Sequence, residues 1–155
     1  MSEGFGLTHY LPFVLRRASL LESPRLRRLQ REAGVEPGFR YELLLALRQF
    51  PNGVYVDRLA KTAHIRQPTV TKALNAMERD GLITREDGGV LEGDKLDRRR
   101  VLVRLTAAGA IEAAKAAGVA MEHMTAMEKA APELVAQPVL DALRSIGEVP
   151  ARGNV

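Results

Sequence analysis

The sequence predicts a mainly α-helical chain carrying one small β-hairpin, and three observations lead there. Apolar residues recur at helical spacing through most of its 155 residues, first in Leu11, Val14, Leu15, Ala18 and Leu21. Near the middle, a short helical stretch, a tight turn and a longer helical stretch run into Gly81, a left-handed stop. Two short strand-like runs, Leu82 to Arg85 and the alternating Arg100 to Leu105, then frame a polar, glycine-containing interval.

Taken in order, Thr8 caps a first helix, in which Pro12 lies early enough to be tolerated. Ser23-Pro24 kinks or restarts it before Leu26 and Leu29, and Gly34 ends it. A second helix begins at Glu36-Pro37, buries Phe39, Leu43, Leu44 and Leu47 on one face, and closes at the Pro51-Asn52-Gly53 turn. Val54-Tyr55-Val56 is a short β-type run, and Asp57 is an N-cap for Arg58 to Ala63. The next helix runs from about Gln67 to Asp80. A helix-turn-helix followed by paired strands is a winged helix, with Gly88-Gly89 as the turn of the hairpin. Thr106 caps an Ala-rich helix whose Ile111, Ala114, Gly118, Met121, Met124 and Ala126 offer small and flexible apolar surface. Pro132 and Pro138 make the remainder one kinked helix or two short ones to about Ile146, and Pro150 to Val155 fray. The expected division is 1–34 and 106–155 for dimerisation and 35–105 for the winged helix.

Composition narrows the function. The chain has no cysteine, which excludes a disulfide framework, a cysteine zinc site, a cysteine nucleophile and a thiol switch. Neither an export signal nor a membrane span is indicated, so a cytoplasmic protein is expected. The net charge of +4 is small, but its placement is uneven. Residues 1–57 carry 8 basic and 6 acidic side chains, residues 58–104 carry 11 and 7, and residues 105–155 carry 4 and 6. The surplus therefore sits on the helix-turn-helix and hairpin, where a polyanion would be met.

The residue pattern there has the matching chemistry. Leu59, Ala63, Ile65, Val70 and Leu74 pin the two helices together. With Val70 inward and about 100° per residue, Leu74 and Met77 also point inward, while Pro68, Lys72, Asn75 and Arg79 point out, flanked by Thr69 and Thr71. Hydroxyls, an amide and a lysine beside a helix N-terminus suit base edges and phosphates. Arg98, Arg99 and Arg100 lie where the hairpin returns, placed for an arginine to enter a minor groove with Asp97 fixing its direction.

Here the sequence resembles the MarR family of bacterial transcriptional regulators. The match lies in the order of elements, in the helix-turn-helix ending Asp80-Gly81-Leu82-Ile83, and in Asp97-Arg98-Arg99 followed by Leu105-Thr106-Ala107-Ala108-Gly109. The resemblance implies a homodimer with intertwined terminal helices that docks two winged helices on a pseudo-palindromic operator in double-stranded DNA. It also implies relief of repression by a small aromatic or phenolic acid bound between the dimerisation helices and the winged helix. By position, Gln67, Pro68, Thr69, Thr71 and Lys72 match recognition-helix residues, and Arg99 matches the wing arginine supported by Asp97. Three features depart from the pattern: His64 where glycine is common, Arg66 where a small hydroxyl cap is usual, and a longer interval from Thr84 to Leu96.

The candidate DNA-binding residues are therefore Arg66, Gln67, Pro68, Thr69, Thr71, Lys72 and Asn75 on the helix, with Lys95, Asp97, Arg98, Arg99 and Arg100 on the wing. His9, Tyr10, Phe13, Arg16, Arg17, Arg40 and Tyr41 combine aromatic and cationic groups suited to an aromatic carboxylate, although the same arginines also suit DNA phosphate or a subunit neighbour. No cofactor, metal or membrane partner is expected, since His9, His64 and His123 lack ligand spacing, and no catalytic constellation stands out. Two rival readings remain: a winged helix that only binds proteins, and an architectural DNA binder without a ligand. A salt-sensitive, sequence-selective DNA complex argues against the first, and occupancy of a few discrete sites against the second.

Overall fold

The computed structural model describes residues 11–87, 90–92, 95–97, 100–132 and 137–147. Its order is α1 (Leu11–Glu32), α2 (Phe39–Leu47), β1 (Val54–Tyr55), α3 (Val56–Ala63), α4 (Gln67–Arg79), β2 (Ile83–Asp87), β3 (Val90–Glu92), β4 (Lys95–Asp97), β5 (Val101–Leu105), α5 (Ala107–Ala130) and α6 (Gln137–Gly147). The packing divides the chain into two units, Met1–Val119 and Ala120–Val155, with the boundary inside α5.

In the first unit, α2, α3 and α4 enclose the core. Leu43, Leu59, Val70, Leu74, Met77 and Val103 are wholly buried, and Leu44 and Leu47 nearly so. Each such side chain contributes about 2 kcal/mol of apolar burial. The sheet has the order β1-β5-β2, all antiparallel, with Val54 opposite Val103 and Ile83 opposite Leu105. Its tight entry requires Gly53, whose φ of 89° is a left-handed value and where a Cβ would lie 2.8 Å from Arg104 Cγ.

Several expectations need correction. α1 runs through Pro24 as one helix, so Ser23-Pro24 does not restart it. α2 starts at Phe39 instead of Glu36-Pro37, because Gly38 at φ 93° turns the chain and its carbonyl accepts the amides of Tyr41 and Glu42. Phe39 thereby falls at the helix edge and is 51% exposed, outside the core it was expected to join. Val56 belongs to α3, whose N-cap is Tyr55, so Asp57 lies in the first turn and is not the cap. The interval between the two main hairpin strands is not all loop. β3 and β4 pair with Glu92 opposite Lys95, which places the reversal between those residues and corrects its assignment to Gly88-Gly89. Those two glycines, with Thr8 and Pro150 to Val155, lie outside the described residues.

On α5, Gly109, Ala113, Ala116 and Val119 are buried, while Ile111 is 60% exposed and Ala114 and Gly118 are also exposed. The second unit contains the rest of α5 and a separate α6, with Met121, Met124 and Leu143 exposed. Among the described residues, no helix is long and apolar enough to cross a membrane.

Candidate nucleic-acid interface

The helix-turn-helix is closed by its own backbone. α3 ends at His64 in the left-handed region, φ 54° and ψ 35°, and the next amide, of Ile65, donates to the carbonyl of Ala60 at 3.0 Å. Ile65 is 8% exposed and plugs the turn, and Ala60 is buried where the sequence placed a small residue. A β-carbon in this conformation costs about 1 kcal/mol. We expect His64→Gly to raise the unfolding free energy by up to about 1 kcal/mol, the relief being partly offset by glycine's greater freedom when unfolded. A urea melt with no gain, or a loss, would contradict this account of the turn.

α4 presents two faces. Val70, Leu74 and Met77 point inward with no exposure, whereas Gln67, Pro68, Thr71, Lys72, Asn75 and Arg79 are exposed and Thr69 is half-buried. This is the division expected from periodicity. The Thr71 hydroxyl donates to the Gln67 carbonyl at 3.0 Å, leaving its lone pairs outward as acceptors. Arg66 is the N-cap and makes no side-chain capping bond. The α4 N-terminus offers fewer free amides than a helix end usually does. Pro68 has none, and that of Thr69, normally free, donates to the Arg66 carbonyl at 2.9 Å, beside the regular Val70 bond at 3.1 Å. Anion contact here rests on side chains and the helix dipole more than on a ring of amides.

At the wing base, Arg100 Nη2 stands 3.3 Å from Asp57 Oδ2, and its guanidinium carbon lies 4.8 Å from the centre of the Tyr55 ring. These contacts tie the returning strand to the start of α3. Burial by itself would raise the Asp57 carboxyl, but the Arg58 amide and the Arg100 guanidinium outweigh it and hold the group below its ordinary 3.8. A depressed folded pKa means that this contribution to stability is present above 3.8 and lost as pH falls through the lower folded value. Asp57→Asn is therefore expected to flatten the acid limb of the stability profile. An unchanged limb would show that the pair contributes nothing.

The other candidates are placed unevenly. Lys95 and Asp97 lie on β4, with side chains outside those described, and Arg98 and Arg99 lie outside the described residues altogether, as do His9 and Tyr10. Phe13 and Arg17 are on α1, also with undescribed side chains, and Arg16 is exposed. Arg40 and Tyr41 do not converge. The Arg40 guanidinium is paired with Glu36 and Asp80, whereas Tyr41 is 7% exposed, its phenol pushed up by burial and by the neighbouring Glu42 carboxylate.

Sequence reasoning missed two features beside α4. Arg85 lines a cleft of about 190 Å³ with Val56, Gln67, Thr71, Leu74 and Val101. Its Nε is 3.6 Å from Glu78 Oε2, and Nε and Nη2 are buried without a hydrogen-bond partner among the described residues. Strand alternation was the available signal, because Arg85 shares a face with buried Ile83. On the other flank, the exposed Phe39 lines a groove of about 590 Å³ with Pro68, Thr69, Lys72, Ala73 and Ala76.

A helix-turn-helix whose second helix is polar outward, followed by a β-hairpin on a three-stranded sheet, defines a winged-helix regulator of the DNA-binding class. Residues 33–100 match the model of the MarR family. The fold is similar to that of CouR from Rhodococcus jostii RHA1 bound to p-coumaroyl-CoA, with a TM-score of 0.75 at 18% identity over 97% of this chain and 100% of the other. It is similar to the transcriptional repressor CouR bound to a 23-mer DNA duplex, with a TM-score of 0.67 at 26% identity over 96% of each chain. NadR in complex with 4-hydroxyphenylacetate gives a TM-score of 0.68 at 20% identity over 97% of this chain and 98% of the other. No curated protein matches the sequence significantly.

Proposed function

We propose that this chain is a homodimeric repressor of transcription. It binds a pseudo-palindromic operator in double-stranded DNA through α4 and the wing, and a small aromatic or phenolic acid releases it. The observation that carries the DNA-binding part is the two-sided α4: Val70, Leu74 and Met77 have no exposure, while Gln67, Thr71, Lys72 and Asn75 face solvent together. A major groove accepts such a helix, with amides and hydroxyls for base edges and lysine for guanine or phosphate. A solved relative carrying a DNA duplex supports this reading.

Dimerisation by residues 1–34 and 106–155 is supported by apolar side chains left open in the single chain, Leu20 at 64% and Ile111 at 60% on the first unit and Met121 at 67% on the second. Two copies set their recognition helices about 34 Å apart, one helical turn of DNA. An effector that binds a different spacing more tightly then weakens the complex through that difference alone. The complex of a relative with 4-hydroxyphenylacetate supports an aromatic acid as effector, and that of another with p-coumaroyl-CoA supports a phenolic group in it.

The test is selection of bound duplexes from a random-sequence library, followed by gel shifts over a range of salt concentrations and a screen of aromatic acids against the complex. The expected result is a two-fold symmetric consensus, a steep salt dependence, and release by at least one acid. Recovery of no consensus sequence would overturn the operator-binding reading.

A further inference from the structure

The start of α4 is seated by the plugged turn at Ile65, and its other end is held by an ion pair. Arg40, in the first turn of α2, places Nη1 2.6 Å from Asp80 Oδ2 and 2.8 Å from Glu36 Oε2. The Arg40 side chain is only 21% exposed, so the pair is less screened than an ordinary surface bridge. Asp80 is the C-cap of α4, and its amide donates to the Ala76 carbonyl at 3.0 Å. A carboxylate at that end opposes the helix dipole, and the Arg40 cation offsets its charge. Arg79 also approaches Asp80, but at 3.9 Å and from a side chain 79% exposed, so Arg40 is the stronger partner. The base from which Arg40 acts is rigid, since Leu43, Leu44 and Leu47 of the same helix are buried to within 2%.

We infer that Arg40 is a positioning residue for DNA reading: its pair with Asp80 fixes the inclination of α4 on α2, and so the placement of Gln67, Thr71 and Lys72 against base edges. The geometry amplifies small changes. The clamp grips the C-terminal end of a helix of 13 residues, and the reading side chains lie toward the opposite end. A tilt of about 5° over a helix about 20 Å long moves that end by roughly 2 Å, more than a base-edge hydrogen bond tolerates. This inference rests on the DNA-binding reading of α4.

A double-mutant cycle on the full-length protein tests it, using a duplex selected from a random library and a scrambled duplex, each titrated at several salt concentrations below the melting point of every variant. Arg40→Ala and Asp80→Ala are each expected to weaken binding to the selected duplex about tenfold, and the double variant by no more than either alone. Binding to the scrambled duplex and the salt slope should stay as in the parent, and Arg40→Lys should recover part of the loss. A salt slope reduced by about 1 with Asp80→Ala silent would make Arg40 a phosphate contact and overturn the inference. Additive losses, or a lower melting point with operator affinity unchanged, would overturn it as well. Lys72→Ala, measured in parallel, separates the two levels: if it too leaves affinity unchanged, the DNA-binding reading itself fails.

Discussion

Gly109→Ala should lower the unfolding free energy by about 4 kcal/mol, close to the whole stability of a marginal domain. A Cβ at this position would sit 1.8 Å from the carbonyl oxygen of Leu82 and 2.9 Å from its carbon, so backbone must move by more than 1 Å to admit it. That carbonyl has no freedom to move. It accepts the Thr106 amide at 3.0 Å, and Leu82's own amide donates to Met77 at 2.9 Å. Thr106 completes the knot, donating its hydroxyl to the Gly81 carbonyl at 2.7 Å and accepting the Gly109 amide at 3.0 Å. The end of α4, the start of β2 and the start of α5 thus meet at one point, and the run Leu105-Thr106-Ala107-Ala108-Gly109 is the sequence record of that contact. Gly81→Ala is the matched control. Its φ of 72° disfavours a side chain, but nothing lies within 4 Å of the added carbon, so it should cost only about 1 kcal/mol. Urea melts of the two variants decide the matter, and a Gly109→Ala loss no larger than the Gly81→Ala loss would refute the close-approach argument.

What could be read in the sequence was local, and what could not be read was long-range. Val70, Leu74 and Met77 were assigned inward and Lys72 and Asn75 outward because one helix period relates them, and packing did not change that order. Gly34, Gly53 and Gly81 were assigned as turns or stops and all three adopt positive φ. Phe39 was misassigned because a single backbone choice, the positive φ of Gly38, shifts the start of α2 by three residues, and periodicity cannot detect that. Asp57 was given a capping role from its neighbours, yet its partner Arg100 lies 43 residues away. Arg40 has the same history. Its surroundings in the sequence suit an aromatic carboxylate, DNA phosphate or a subunit neighbour, and do not reveal Asp80, its partner 40 residues distant. β3 and β4 escaped notice because strand signals are carried by apolar alternation, and Val90, Leu91 and Leu96 do not alternate and are surrounded by charged residues and glycines.

Lys72→Glu should abolish operator recognition at concentrations where the parent protein saturates its site. Lys72 is exposed on the same outward face as Gln67, Thr71 and Asn75, one residue after a threonine whose hydroxyl is already fixed on the Gln67 carbonyl. Replacing it removes one cationic contact and sets a carboxylate against phosphate or an acceptor base edge, worth about 2 kcal/mol at one half-site. In a two-fold dimer each substitution is made twice, so the loss is about 4 kcal/mol, or roughly a thousandfold in affinity. The square is the informative part. A monomeric binder would lose only about thirtyfold from the same change. The experiment therefore tests the oligomeric state and the recognition face together. Arg48→Glu alters net charge by the same amount at an exposed position on the C-cap of α2, and its effect on operator affinity should be small. Equal losses from the two charge reversals would mean that the protein senses DNA only through its overall field, in which case α4 would not be the reading helix.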